Sequence, residues 1–398
     1  MSKKIFVFSV ICFAFLFLVT GLGYCASYGS LTTDEIMKSV GNKLVNVALT
    51  DCATESGNIF MLVRDGKKRT RDLQWVFYNP LTKKVVKSGD CPFKFENDIV
   101  AVSPNGKYAA AFSRYPTELW LLNIESGNWD KIMENPKVNE DGLTIIRKMK
   151  LGTVFGTSYL RFVDNSTIAT CLQNLDKDKN MKDIVPTFVN VDKKEIEPFV
   201  SFSDMLLSAS KVLESKDEKN CSIDDVFPES NNSILFSIKN EKHSYVMRIG
   251  EDKVAHIVHA FPTRYITFCD VSFGNIVCRI SLGKDKSKDS ITVIKKDGTL
   301  EILAKEKGIY GFALENDAFL VSSVRGELPL VELVDSKSNH FSVAKQEEVS
   351  LVYVDRKPST VFFVNQYGIK WFNVVEKMKA KDVKKAKDVK VKDKTKKK

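Results

Sequence analysis

From about residue 42 to residue 375 the chain repeats one motif: an apolar strand, a turn of Asp, Asn, Pro, Ser or Gly, and a second strand that is more continuously apolar. Copies run Val47 to Arg64 around Glu55-Ser56-Gly57, Val100 to Phe112, Leu160 to Leu172, Val226 to Ile238, Ile266 to Ile280, Phe312 to Val324 and Leu351 to Val364. A second hairpin follows most of them. Its turns are Asn79-Pro80-Leu81-Thr82, Glu125-Ser126-Gly127-Asn128, Asp192-Lys193-Lys194, Gly250-Glu251-Asp252-Lys253, Lys296-Asp297-Gly298 and Asp335-Ser336-Lys337-Ser338. Short β-branched and aromatic runs punctuated this way are the signature of an all-β chain. Two hairpins make four strands, and a four-stranded unit of roughly 40 to 45 residues has the length of a propeller blade. A single such sheet leaves both faces wet, so it must pack on neighbours, and closing a ring removes the exposed flanks.

The spacing therefore predicts a β-propeller of about seven four-stranded blades over residues 27–376. The last unit, Leu351 to Val375, has room for only three strands, so residues between Tyr28 and Ala48 are expected to supply the fourth. Apolar residues recur at three and four only in Thr33 to Leu44 and Phe202 to Leu213, predicting a short N-terminal helix and one helix inserted among the strands.

The two ends of the chain read differently from its body. Lys3 and Lys4 precede an apolar run from Ile5 to Val19, and small residues follow at Gly21, Gly23 and Ala26. That is the layout of a secretory signal peptide over residues 1–26, which places the mature chain outside the cytoplasm, secreted or periplasmic. Cys25 after Leu22-Gly23-Tyr24 invites a lipoprotein reading, but bulky Tyr24 stands where a lipidation site needs a small residue. At the other end, residues 377–398 hold twelve Lys against Asp382, Asp388 and Asp393, including Lys384, Lys385, Lys396, Lys397 and Lys398. Such a tail is too charged to bury a core. The formal net charge of +10 is thus almost all tail and signal, and the body is nearly neutral. A basic groove for nucleic acid is not supported; an anionic envelope surface, met through the tail, is the electrostatic partner to expect.

One unit carries a resemblance. Ser103-Pro104-Asn105-Gly106-Lys107-Tyr108-Ala109-Ala110-Ala111-Phe112, followed by Leu119-Trp120-Leu121-Leu122-Asn123-Ile124-Glu125-Ser126-Gly127, resembles a blade of the WD-repeat-like propellers of the periplasmic Tol system and of the non-catalytic domain in prolyl-oligopeptidase-type enzymes. The other units keep the length and lose the signature, as Asp164-Asn165-Ser166 and Asn316-Asp317 show. The resemblance implies a propeller and a habit of binding proteins or peptides, and it carries no catalytic residue across.

Motifs that could carry chemistry are sparse. No Gly-x-Ser-x-Gly occurs, so the hydrolase domain that accompanies some such propellers is not expected in this chain. Ser208-Ala209-Ser210-Lys211 fits Ser-x-x-Lys, yet Ser-Asp-Asn and Lys-Thr-Gly are missing. Asp176, Asp178, Asn180 and Asp183 place oxygens at alternate loop positions as calcium requires, but Met181 stands where Gly should turn and Thr187 replaces the closing acid. His256 and His259, three apart on a strand, are expected on opposite faces, which is wrong for a shared metal. Trp75, Trp120 and Trp371 each fall in the third strand of a unit, which points to packing.

Six cysteines remain after Cys12 and Cys25. Cys269 and Cys278 are equidistant from the turn Ser272-Phe273-Gly274-Asn275 and are expected to face each other as a disulfide. Cys52 with Cys91 and Cys171 with Cys221 complete the neighbours-in-sequence pairing. No catalytic residue and no cofactor is identified. The reading is an exported, non-catalytic scaffold that binds a protein or peptide; the alternative is an enzyme using the central cavity on a carbohydrate or peptide.

Overall fold

The computed structural model describes residues 28–373 apart from 33, 36–37, 39–45, 54, 65–71, 81, 95–98, 115–116, 135–159, 176–180, 214–220, 231, 241, 263, 282–287, 326–327, 346–350, 357–358 and 366–367. The expected signal segment with Cys25 and the lysine tail lie outside the described residues. So do Asp176, Asp178 and Asn180 and the side chains of Cys52 and Cys171. Among the described residues no helix is long and apolar enough to cross a membrane.

The strands form seven four-stranded antiparallel sheets. β1 (Tyr28–Thr32) is set apart by its pairing, described below. The first sheet holds β2 (Asn46–Ala53), β3 (Asn58–Arg64), β4 (Asp72–Asn79) and β5 (Lys84–Lys94), and the second β6 (Ile99–Val102), β7 (Tyr108–Arg114), β8 (Thr117–Asn123) and β9 (Asn128–Glu134). The third holds β10 (Leu160–Phe162), β11 (Thr167–Leu175), β12 (Met181–Asn190) and β13 (Glu195–Pro198). Helix α1 (Phe202–Val212) precedes the fourth sheet of β14 (Ser222–Ser230), β15 (Ser233–Lys239), β16 (His243–Ile249) and β17 (Ala255–Pro262). The fifth holds β18 (Tyr265–Ser272), β19 (Asn275–Ser281), β20 (Ser290–Ile294) and β21 (Leu300–Ala304), and the sixth β22 (Gly308–Ala313), β23 (Phe319–Arg325), β24 (Leu328–Val334) and β25 (His340–Lys345). The seventh has only β26 (Leu351–Arg356), β27 (Ser359–Asn365) and β28 (Gly368–Asn373) of its own, and β1 completes it, pairing Tyr28 with Phe372 and Thr32 with Gly368. The fourth strand comes from the start of the chain, as counting strands predicts.

First strands pack beside first strands: β2 on β6, β6 on β10, β14 on β18, β18 on β22, and β26 returns against β2. The apolar clusters lie between neighbours. Phe60, Trp75 and Phe77 of the first sheet meet Val100, Ala109 and Leu122 of the second; Leu235 and Val246 of the fourth meet Phe268 and Cys278 of the fifth; Val277 and Ile291 of the fifth meet Tyr310 and Leu320 of the sixth. This explains why second strands are continuously apolar. β15 is buried at five successive residues, from Ile234 to Ile238, because a sheet lies against each of its faces, whereas every residue of outermost β13 is exposed. Burial of each large apolar side chain contributes about 1.5–3 kcal/mol.

Of the two expected helices, α1 forms as predicted. Ser201 caps it by accepting from the Asp204 N–H, Asp204 and Lys211 match the dipole, and Met205 and Ala209 enter the core. Of the N-terminal helix only Asp34, Glu35 and Lys38 are described as helical. Thr32 and Glu35 there form a reciprocal capping pair, the Glu35 carboxylate accepting from Thr32 N–H at 2.7 Å and the Thr32 hydroxyl from Glu35 N–H at 3.2 Å.

Inner strands share a defect that the sequence pattern did not reveal. One residue is left unopposed by a bulge at Ala48 in β2, Asp224 in β14, Cys269 in β18 and Ile309 in β22. The bulge corrects the disulfide expectation. Phe268, not Cys269, is opposite Cys278, and the extra residue sends the two thiols to opposite faces of the sheet, Cys269 toward the sixth sheet and Cys278 toward the fourth. Both are reduced and buried. Burial pushes the Cys269 thiol up to about 12 and the Cys278 thiol well above its ordinary value, so neither is a nucleophile at neutral pH.

Candidate functional site

The two ends of the sheet ring differ in what their polar groups do. At the end bearing the hairpin tips, the turns of the first three sheets are joined to one another. Glu55 N–H donates to the Pro104 carbonyl at 2.8 Å, Asn105 N–H donates to Asn165 Oδ1 at 2.8 Å, and Asn165 Nδ2 donates to Glu55 Oε1 at 3.0 Å. The first and third sheets are not neighbours in the ring, so this contact brings their tips together across the second. Tyr108 OH donates to Asp192 at 2.6 Å, with Lys107 3.5 Å from the same oxygen. The tyrosine hydroxyl, and behind it Lys107, holds the Asp192 carboxyl below the usual aspartate range.

At the opposite end, where β14 and β18 begin and β15 and β19 finish, charged groups gather. The bulge in β14 sets two aspartates side by side and gives them different surroundings. Asp225 is buried; Oδ1 accepts from Val226 N–H at 2.8 Å and Oδ2 from Phe268 N–H of the next inner strand at 2.7 Å. Burial drives its carboxyl well above the aspartate range, against the pull of those two N–H groups and of Arg279. Asp224 is 13 % exposed and its Oδ1 lies 3.0 Å from Lys239 Nζ, while its buried Oδ2 has no hydrogen-bond partner among the described residues. Burial raises this carboxyl too, with Lys239 opposing.

Lys239, the last residue of β15, reaches across to the fifth sheet, where its Nζ sits 3.4 Å from the ring centroid of Tyr265, the first residue of β18. Tyr265 is half exposed. Arg279 and Asp289 approach to 3.7 Å nearby; farther along β18, toward its hairpin tip, Asp270 bridges to the sixth sheet by accepting from Ala313 N–H at 3.1 Å. A carboxyl raised by burial, an ammonium and an accessible aromatic ring, from three strands on two sheets, form an arrangement suited to proton transfer and to holding a polar ring.

Several sequence candidates fall elsewhere. Ser208 of the Ser-x-x-Lys motif accepts from Ala255 N–H at 2.9 Å and so pins α1 to β17. Asp183 lies in β12 opposite Asn174. The expectation that His256 and His259 face apart is corrected by a bulge at Val258, which sets them opposite Arg248 and Val246, two positions on one face. They still do not converge on a metal: His256 lies 2.7 Å from Asp252, and His259 packs on Phe261. Among the described residues no group of three His, Cys, Asp or Glu is placed to hold a metal ion. Trp75 and Trp371 are buried on the third strands of their sheets, as packing residues.

Asp224, Asp225, Lys239 and Tyr265 were missed by sequence reasoning. Consecutive aspartates set between Ile223 and Val226-Phe227 run against strand preference and were the available signal.

No protein-family model matches this sequence, and no curated protein sequence does. Solved structures share its fold. The β-propeller domain of the Trilobed protease from Pyrococcus furiosus, described as having an open velcro topology, is 11 % identical with a TM-score of 0.53, over 83 % of this chain and 93 % of that one. Oligogalacturonate lyase from Vibrio parahaemolyticus is 10 % identical with a TM-score of 0.52, over 83 % and 91 %. Against the acylaminoacyl peptidase of Pyrococcus horikoshii, 10 % identical with a TM-score of 0.49, the match covers 84 % of this chain and about half, 51 %, of the peptidase.

Likeness at this identity shows the fold, and the fold is propeller-like. It also corrects the ground for expecting a non-catalytic scaffold: an enzyme, the oligogalacturonate lyase, shares the architecture, so the fold does not separate a scaffold from the alternative of an enzyme. Sequence motifs were silent because Tyr265 comes from a different sheet than Asp224 and Lys239 and meets them only where the two sheets pack.

Proposed function

We propose that this chain is an exported seven-bladed propeller enzyme, closed by β1, that acts on a carbohydrate or a peptide held over the charged end of its fourth and fifth blades. The observation that carries the proposal is the convergence of Asp224, Lys239 and Tyr265 at one end of the inner strands. The likeness to an oligogalacturonate lyase, over 83 % of this chain and 91 % of that one, supports it. Asp224, its carboxyl raised above the ordinary aspartate range by burial with Lys239 opposing, is the group to give or take a proton, and Lys239 stabilises the carboxylate left behind. The test is incubation of the exported chain with neutral oligosaccharides, oligogalacturonates and oligopeptides, with products followed by mass spectrometry. Scission of one class, slowed about a hundredfold in Asp224→Asn, is expected; scission undiminished in that variant contradicts the assignment.

The lysine tail, with Lys384, Lys385 and Lys396 to Lys398, is proposed to hold the protein at an anionic surface. Binding to phosphatidylglycerol vesicles that is lost at high salt, and lost on truncation after Val375, supports this. Binding that survives the truncation contradicts it.

A further inference from the structure

We propose that the outer edge of the seventh sheet, with the turn of the first sheet beside it, is the surface by which the folded body lies on an anionic bilayer, which rests on the reading of the lysine tail above and gives it an orientation. The two ends of the chain leave the ring at one place. β1 pairs antiparallel with β28, and Tyr28 stands opposite Phe372. Cross-strand partners lie about 5 Å apart, so the expected signal segment before Tyr28 and the lysine tail after Asn373 are joined to one end of one ladder. A surface that holds either segment draws the same edge of the ring toward it.

The folded body adds positive charge along that edge. Lys370 is exposed on β28, opposite Ser30. At the far end of β1 the Glu35 carboxylate that accepts from Thr32 N–H lies 3.7 Å from Lys83 Nζ, which brings the turn before β5 against the residues that follow β1. Lys38, Lys83 and Lys84 are exposed there, and Val86 beyond them is 54 % exposed. The acids described between Tyr28 and Lys38 are Asp34 and Glu35, and Glu35 is engaged by Lys83 and by the Thr32 cap. On a body that is nearly neutral overall, lysines with an apolar side chain among them thus line the edge from which the tail departs. Such lysines attract anionic headgroups within about a Debye length of the surface. A tail of twelve lysines by itself gathers any polyanion, but a rigid edge gains only from a partner that extends beneath it as a plane, and Val86 only from one with an apolar layer. A soluble polyanion offers neither; a bilayer offers both.

The test is flotation of the full chain with vesicles of phosphatidylglycerol and phosphatidylcholine, using wild type, an edge variant (Lys83→Gln, Lys84→Gln and Lys370→Gln together), a control variant of exposed lysines elsewhere (Lys193→Gln, Lys211→Gln and Lys305→Gln together) and a chain ending at Val375. The edge variant is expected to weaken partition about tenfold or more and the control variant by no more than about twofold. Hydrogen exchange of the wild type on vesicles is expected to slow in peptides covering 28–35, 82–87 and 368–373. Thermal melting of each variant separates loss of binding from loss of fold.

Equal weakening by the edge and control variants, exchange slowed elsewhere in the ring instead, or an edge variant that weakens binding to soluble polyglutamate by the same factor as to vesicles overturns the inference. Its failure is distinct from failure of the tail reading. Binding lost on truncation but unchanged in the edge variant sinks the docking edge alone; binding weakened in the edge variant but unchanged on truncation sinks the tail alone.

Discussion

At the hairpin-tip end Asn165 uses both halves of its carboxamide on neighbouring turns, accepting from Asn105 and donating to Glu55; at the opposite end Asp224 uses one oxygen on Lys239 and leaves the other without a partner among the described residues. The first arrangement joins three sheets. The second sits at the junction of two, beside a half-exposed tyrosine. Fully satisfied polar networks rigidify the elements they join. On the proposed reading, the ring is tied at the tip end and engages its ligand at the other.

The largest effect that sharpens the comparison is expected at Asp225. Asp225→Ala strands the N–H groups of Val226 and Phe268 in the core, a loss of about 3 kcal/mol read by urea unfolding. Asp225→Asn keeps one acceptor oxygen and removes a carboxyl that burial already disfavours as an anion, so its loss is much smaller. Equal losses in the two variants would mean that the carboxylate charge, and not its hydrogen bonds, joins the fourth and fifth sheets.

A smaller effect is expected at the tied end from Gly106→Ala. Gly106 has φ +73°, and an added Cβ would come within 2.8 Å of Phe77 Cζ and 3.2 Å of Ala53 Cβ from the first sheet. Left-handed backbone and crowding together cost about 2 kcal/mol, seen as a lower urea midpoint. Catalysis at the other end is expected to be unchanged, and a parallel fall in turnover would break the division of labour.

The smallest effect, and the one that most directly contrasts the two ends, is in pH dependence. Asp192 has a lowered carboxyl, so its contribution to stability is present above about pH 4 and is lost as pH falls through its folded value. Asp224 has a raised carboxyl, so its contribution is fullest at or below about pH 4 and is lost as pH rises through its folded value. Melting temperatures of Asp192→Asn and Asp224→Asn, each measured against wild type across this range, should therefore diverge in opposite directions. Parallel curves would contradict the assignment of the two ends.

How far the sequence disclosed this arrangement depends on the range of the contact. Asn105-Gly106 and Ser126-Gly127 gave their turns because positive φ at Gly106 and Gly127 is a local demand that few residues meet. The four-strand period showed that β1 was needed, since a three-stranded seventh unit leaves a sheet edge open. The bulges were not legible. Cys269 and Cys278 are symmetrical about their turn in sequence, and one unopposed residue, which no pattern of alternation announces, placed them on opposite faces. The charged end was illegible for a further reason: Asp224 and Tyr265 are neighbours only because consecutive sheets pack, and a ring supplies that proximity without any fixed spacing in the chain.

The central claim is that ligand is engaged at the Asp224–Lys239–Tyr265 end. Hydrogen exchange of the full chain, with and without a saturating oligosaccharide or oligopeptide substrate, tests it most directly. Slowed exchange confined to peptides covering 222–226, 238–245 and 264–268 is the predicted result; slowed exchange at the joined turns around 103–107 and 163–166, with none at the charged end, would contradict it.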